Sequence, residues 1–155
     1  MKSLFLLGWL LLPVAGFAQQ APAAPTSAAK APVVLPPKKA NAILIQRRDS
    51  GLVALTALMQ GLVNRGYTIK DINREQLTVR TEPRPVSEVG AVLVEGAVQG
   101  RQFVLTGAFA PEVTSRRSTP IVYPGEGRPD RASKAWEELV KTAGLLKGNI
   151  SYRTQ

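Results

Sequence analysis

The 155-residue sequence contains no cysteine and no histidine. Without cysteine the chain can form no disulfide, no thiolate metal site and no cysteine nucleophile, and a bacterial lipid anchor would find no thiol for attachment. Without histidine it lacks the side chain that most often serves as general base or metal ligand near neutral pH. The sequence therefore predicts neither a cofactor nor a metal site, and a folded domain must be stabilised by its hydrophobic core alone.

The apolar run at the N-terminus is too short to span a membrane. It covers residues 4–12 (LFLLGWLLL), about half of the roughly 20 residues that a membrane-spanning helix needs. Gly16 and Ala18 then supply small residues at the positions that a signal peptidase requires. We therefore expect residues 1–18 to be a signal peptide cleaved before Gln19, and the protein to be periplasmic or secreted with no transmembrane span left.

The segment that follows is low in sequence complexity. Residues 19–40 are mostly alanine, proline and small polar residues without apolar periodicity. Such a segment cannot bury enough surface to offset the entropy of ordering it, so we expect a flexible tether. Residues 41–155 are then predicted to form a single domain.

Acidic residues are few, 11 against 20 basic ones. All 11 acidic and 16 of the basic residues lie from residue 41 onward, which gives the predicted domain a net charge of +5. Nucleic acid is the usual partner of a basic domain, but we expect none for an exported protein. Anionic lipid, anionic glycan or envelope proteins are the predicted partners, although a charge of this size also serves solubility alone.

Two segments have the periodicity of amphipathic helices. The first begins after Asp49 or Ser50, and Gly66 is placed to end it. Its predicted apolar stripe comprises Leu52, Leu55, Leu58, Met59, Leu62 and Val63. The second begins after Asp130 or Ser133, with a predicted buried stripe of Ala132, Ala135, Trp136, Leu139, Val140 and Ala143 and a solvent face of Lys134, Glu137, Glu138 and Lys141.

Strands are predicted at residues 42–45, 77–81, 91–98, 102–109 and 149–153. Gly100 lies in the short turn of a hairpin between the third and fourth of them, while Pro83 and Pro85 are expected to end the second. The element order is therefore β-α-β-β-β-α-β. This order predicts an α+β domain in which two helices pack on one face of a mainly antiparallel sheet.

A long connection, residues 111–129, contains the candidate ligand-binding residues. It has four prolines and two glycines and shows no helical pattern. Within it, residues 119–123 are a candidate short edge strand. Loops longer than about 12 residues are usually functional or disordered, so a mobile solvated loop is the alternative interpretation. Arginine forks bind phosphate or carboxylate, and tyrosine can stack on a ring. The candidates are Arg116, Arg117, Tyr123, Arg128 and Arg131.

No catalytic constellation is visible. The carboxylates are scattered, and the adjacent Glu137 and Glu138 would point about 100° apart on a helix, so they could not converge on one bond. The sequence therefore predicts a protein that is not an enzyme, with a small hydrolase as the least favoured alternative.

The hairpin and the second helix carry a resemblance to a known family. A turn glycine precedes alternating apolar residues and a second glycine, and a helix of spaced alanines leads to a further glycine and a last strand. In this pattern the chain resembles the BON-type modules of bacterial envelope proteins. The residues concerned are Gly100, Phe103, Leu105, Gly107, Phe109, the alanines of 135–143, Gly148 and Ile150. The resemblance implies a non-catalytic module that binds phospholipid or partner proteins at the envelope, and it assigns no functional residue.

Taken together, these features predict a non-catalytic exported binding or interaction domain of the bacterial cell envelope. The alternatives are a module that binds anionic lipid or glycan, and a small hydrolase.

Overall fold

The computed structural model describes residues 35–125, 127 and 130–154. The predicted signal peptide and most of the predicted tether lie outside these residues. Within them the chain forms eight strands and two helices. In chain order these are β1 (Ala42–Gln46), α1 (Gly51–Asn64), β2 (Ile69–Asn73), β3 (Thr78–Thr81), β4 (Arg84–Val86), β5 (Gly90–Gln99), β6 (Gln102–Ala110), β7 (Thr119–Pro120), α2 (Arg131–Leu145) and β8 (Asn149–Arg153).

The strands form one antiparallel sheet in the order β2-β3-β5-β6-β1-β8. Two short strands extend it, since β4 pairs with β5 beyond β3 and β7 pairs with β6 beyond β1. The predicted α+β class and the mainly antiparallel sheet are confirmed.

The β5–β6 hairpin is the centre of the sheet. Its register runs without a shift from the pair Gln99↔Gln102 to the pair Ala91↔Ala110. Gly100 in the turn has a φ of 60°, a conformation that favours glycine. Because side chains alternate along a strand, this register places one row of apolar side chains on a single face. The buried members of that row are Val92, Val94, Val98, Phe103 and Leu105.

Both helices pack on this face. Leu58 of α1 and Leu139 of α2 are fully buried in the same hydrophobic cluster as the hairpin row. Gly96 provides the space that Leu58 occupies, because a Cβ atom there would lie 2.8 Å from Leu58 Cδ2. Opposite the second helix, a Cβ atom on Gly107 would lie 3.6 Å from Leu139 Cδ1. No described helix is both long and apolar enough to span a membrane.

Three side chains of the helices differ from the prediction. Leu52 and Val63, expected in the buried stripe of α1, are 58% and 49% exposed. At about 100° per residue, Leu52 lies about 105° and Val63 about 125° from the centre of the buried arc, so both are on the side of the helix and not on the face that contacts the sheet. Glu138, expected on the solvent face of α2, is buried because it has two arginine partners, described below.

Two strands were not predicted. β2 is short and mostly exposed, so it lacks the apolar alternation by which strands are recognised. β4 follows Pro83 and contains Pro85, which pairs opposite Ala91. Since β4 lies at an edge of the sheet, a proline is tolerated there. Pro83 therefore interrupts the pairing along β5 without ending it.

Two segments that the sequence assigned to irregular chain belong to the core. In the predicted loop, Ile121 is 1% exposed, and its backbone N–H donates to the Gly107 carbonyl oxygen (2.8 Å). At the end of the predicted tether, Ala40 is fully buried and its carbonyl accepts from the N–H of Tyr123 (2.7 Å). The structured domain therefore begins before residue 41. All described strand pairs and core residues lie within residues 40–153, so a chain that starts at Gln19 keeps them all.

Substitution of Gly148 by alanine is expected to destabilise the domain, because the new Cβ would lie 2.4 Å from the Gln46 backbone oxygen. Gly144, one turn earlier, has no atom within 4 Å of the corresponding position. Gly144→Ala should raise the free energy of unfolding by about 1 kcal/mol, whereas Gly148→Ala should lower it by about 1–3 kcal/mol. Urea denaturation of both variants measures the difference. Shifts of equal sign and size would contradict the packing at Gly148.

Candidate functional site

Three connections meet at one end of the sheet, which we call the basic pole. They are residues 47–50 between β1 and α1, residues 100–101 between β5 and β6, and residues 146–148 between α2 and β8. The meeting follows from the antiparallel order, since β1 ends where β6 and β8 begin, with Gln46 paired to both Gln102 and Asn149.

Arg47 joins these three connections. Its backbone N–H donates to the carbonyl oxygen of Arg101 (2.7 Å), and its Nη1 donates to the carbonyl oxygen of Lys147 (2.8 Å). Its Nη2 forms an ion pair with Asp49, and the guanidinium carbon lies 5.3 Å from the centre of the Phe103 ring. Arg47 is thus a structural residue, whose cation also stabilises the carbonyl end of α2.

Three other cations of the basic pole face solvent. The side chains of Arg48, Arg101 and Lys147 are exposed, and none of them forms an ion pair with the described residues. A shallow cleft of about 460 Å³ lies between the first and third connections. Its lining residues are Gln46, Arg47, Arg48, Asp49, Lys147, Gly148 and Asn149. Because Asp49 is paired with Arg47, the surface of the cleft is net positive.

Exposed apolar side chains are close in sequence to two of these cations, Arg48 and Lys147. None of the 14 residues of α1 is charged. Leu52 and Val53, in its first turn, are 58% and 71% exposed, and Leu145, the last residue of α2, is 49% exposed. Large apolar side chains grouped on a surface usually mark an interaction site. The basic pole therefore combines positive charge with apolar surface.

The described candidate residues of the long connection lie on different segments of the structure. Arg116 and Arg117 are exposed between β6 and β7, and Arg131 is the exposed first residue of α2. Tyr123 packs its ring 5.7 Å from that of Trp136 and lines an apolar groove that neither Arg116 nor Arg117 lines. Arg128 lies outside the described residues. The anion site expected from these arginines stays a prediction.

A second cluster of charges is buried between the helices and β4. Glu138 is 5% exposed, and its Oε2 accepts from Arg65 Nη2 at 2.7 Å, while its Oε1 accepts from Arg84 and from the Tyr67 hydroxyl. The Arg84 guanidinium also lies 4.5 Å from the centre of the Tyr67 ring. Burial raises the pKa of Tyr67 above its ordinary value of 10.0, with hydrogen bonding to Arg84 opposing the shift.

This Glu138 cluster connects elements rather than offering a reactive group. Arg65 caps the end of α1, Arg84 belongs to β4 and Glu138 belongs to α2, so one carboxylate links three elements. Two guanidinium groups and a hydroxyl occupy its oxygens, which leaves the carboxylate poorly placed to accept a substrate proton. Among the described residues no group of three acidic side chains could hold a metal ion.

Comparison with known proteins adds no further assignment. The chain matches no protein-family model, and no curated protein matches it. Its function is therefore inferred from the side chains of the basic pole and of the groove beside Tyr123.

Replacing Glu138 by glutamine should destabilise the domain strongly, because two arginines would lose their anionic partner in a largely buried site. We expect the free energy of unfolding to fall by about 3 kcal/mol. The neighbouring Glu137 is exposed, so Glu137→Gln is the matched control and should change stability by less than about 0.5 kcal/mol. Urea denaturation of both variants tests this prediction, and a Glu138→Gln variant as stable as the control would contradict it.

Proposed function

We propose that the chain is a non-catalytic, exported binding domain of the bacterial cell envelope, and that its basic pole binds the anionic headgroups of a lipid surface. The observation that carries this proposal is that Arg48, Arg101 and Lys147 lie on connections at one end of the sheet, with the exposed Leu52 and Val53 following Arg48 in the chain. Each lysine or arginine near an anionic bilayer contributes about 1 kcal/mol of attraction. Apolar side chains that enter the headgroup region add to this attraction.

The apolar side chains favour lipid over the other anionic partners. On a glycan the charges would be neutralised, but Leu52, Val53 and Leu145 would stay in water. Single-stranded nucleic acid usually requires aromatic side chains on which bases stack, and the exposed side chains of the described pole include none. A lipid surface provides anionic headgroups for the cations and an apolar region for the exposed apolar side chains.

The absence of catalysis is supported by the chemistry of the chain. Histidine and cysteine do not occur in the sequence, and Glu138, the one deeply buried carboxylate described, is neutralised by two arginines. The resemblance to BON-type modules agrees with a binding function at the envelope. The hydrolase alternative has no comparable support.

Binding to lipid is expected to depend on the cations of the basic pole. In a sedimentation assay with phosphatidylglycerol vesicles, Arg48→Glu/Arg101→Glu should lower the affinity at least about tenfold. Arg116→Glu/Arg117→Glu changes the net charge equally at the other proposed anion site and should have little effect. Raised salt should weaken binding of the unaltered chain, because the attraction is screened.

The assay uses the chain that starts at Gln19, so that the apolar N-terminal run does not itself enter the vesicles. Equal losses in both double variants would mean that only net charge matters, and a loss confined to the second would assign the site to the long connection. If the unaltered chain bound vesicles of phosphatidylcholine alone as tightly as it binds phosphatidylglycerol vesicles, this would also contradict the role of the cations.

Export can be tested at the cleavage site. The protein recovered from the periplasm or the medium should begin at Gln19, as read by mass spectrometry of its N-terminal peptide. Ala18→Lys should block cleavage, because a signal peptidase requires a small residue there, whereas Ala28→Lys should not. Recovery of the unaltered chain with residues 1–18 still attached would argue against a signal peptide.

A further inference from the structure

An apolar groove of about 420 Å³ lies at the end of β6 opposite to the basic pole. One wall is the segment that continues from β7, and the other is formed by the residues that precede β1. The groove is lined by Lys38, Lys39, Phe109, Thr119, Pro120, Val122, Tyr123, Pro124 and Ala132. Its volume is within the usual range for a small-molecule site, about 300–1,000 Å³.

The two walls are held together by backbone hydrogen bonds. The N–H of Tyr123 donates to the carbonyl oxygen of Ala40 (2.7 Å). The N–H of Lys39 donates to the carbonyl oxygen of Tyr123 (3.2 Å). Ile121 is buried in the core beneath this segment. The two residues that follow it, Val122 and Tyr123, both line the groove.

An aromatic row supports the groove from below. The Tyr123 ring lies 5.7 Å from the Trp136 ring, which in turn lies 5.9 Å from the Tyr152 ring. Trp136 is almost fully buried in the core. The wall at Tyr123 therefore exists before any ligand binds, and Trp136 lies directly behind it.

The charge at the rim of the groove is positive. Among the described residues, the lining includes two lysines and no acidic residue. The side chain of Lys38 runs past Gly125, where a Cβ atom would lie 3.7 Å from Lys38 Cε. Both lysines are exposed, and neither forms an ion pair with the described residues. The stems of such side chains extend the apolar wall while their ammonium groups stay at the rim.

We propose that this groove binds a medium-chain carboxylate, with the hydrocarbon chain between Phe109 and Val122 and the carboxylate near Lys38 and Lys39. Apolar walls lower the free energy of the chain relative to water, and ammonium groups at one rim select an anion over a cation of equal length. The groove provides few polar groups that could orient a sugar or a nucleotide. This site shares no residue with the basic pole, so it can be tested independently of the proposed lipid contact.

The experiment follows Trp136 fluorescence in the chain that starts at Gln19. The sequence contains one other tryptophan, Trp9, which this chain lacks. Decanoate should change the emission saturably below its micelle concentration. Decyltrimethylammonium, which has the same hydrocarbon length and the opposite charge, should bind at least about fivefold more weakly.

Two matched variants locate the binding. Val122→Asp places a charge in the groove and should weaken decanoate binding at least about tenfold, whereas Val113→Asp, at an exposed valine of the same connection that does not line the groove, should leave it unchanged. Circular dichroism confirms that each variant is folded. Lys38→Glu should remove the preference for decanoate over the cation.

Three results would overturn the proposal. They are no saturable change with decanoate, equal binding of the anion and the cation, and equal weakening by both aspartate substitutions. Arg48→Glu/Arg101→Glu should bind decanoate normally. Loss of vesicle binding in that variant with intact decanoate binding would show that the two sites are independent. Loss of decanoate binding with intact vesicle binding in Val122→Asp would show the same.

Discussion

Along the β5–β6 hairpin every second side chain faces the two helices, and this row has to be covered for the domain to fold. The continuous register from Gln99↔Gln102 to Ala91↔Ala110 defines the row. A shift by one residue would turn the entire row toward solvent. The helices cover the row, with α1 packed over Gly96 and α2 over Gly107. The strands β1 and β3 extend the sheet on either side of the hairpin.

Much of the fold follows from local sequence signals. The hairpin turn at Gly100, the end of α1 before Gly66 and the capping of α2 by Asp130, whose side chain accepts from the N–H of Ser133 at 2.7 Å, each depend on residues close in sequence. Burial of Glu138 depends instead on arginines 54 and 73 residues away, so periodicity within α2 could not predict it. The strands β2 and β4 were missed for a related reason. Their own sequence pattern is weak, and they form because they pair with neighbouring strands.

The candidate sites were less predictable than the fold. The adjacent Arg47 and Arg48 are visible in the sequence, but Arg101 and Lys147 join them only because the antiparallel order brings three connections to one end. The composition of residues 19–40 predicted a flexible tether and gave no sign that its last lysines line a groove. Tyr123 lines the groove, whereas Arg116, Arg117 and Arg131 do not, and the ligand-binding role expected of all four stays a prediction.

Unequal strand lengths have a consequence for motion at the groove. β5 and β6 are longer than the strands beside them, so β3 shares the side of β5 with β4, and β1 shares the side of β6 with β7. β7 contributes two paired positions to β6, whereas β1 contributes four. Segments with few contacts open at the lowest free energy. The two paired positions of β7 can therefore open while the rest of the sheet stays paired, and the Thr119 amide should exchange with solvent deuterium sooner than those of β1. The wall beyond them stays in place, because Ile121 is buried in the core and its N–H donates to the Gly107 carbonyl oxygen.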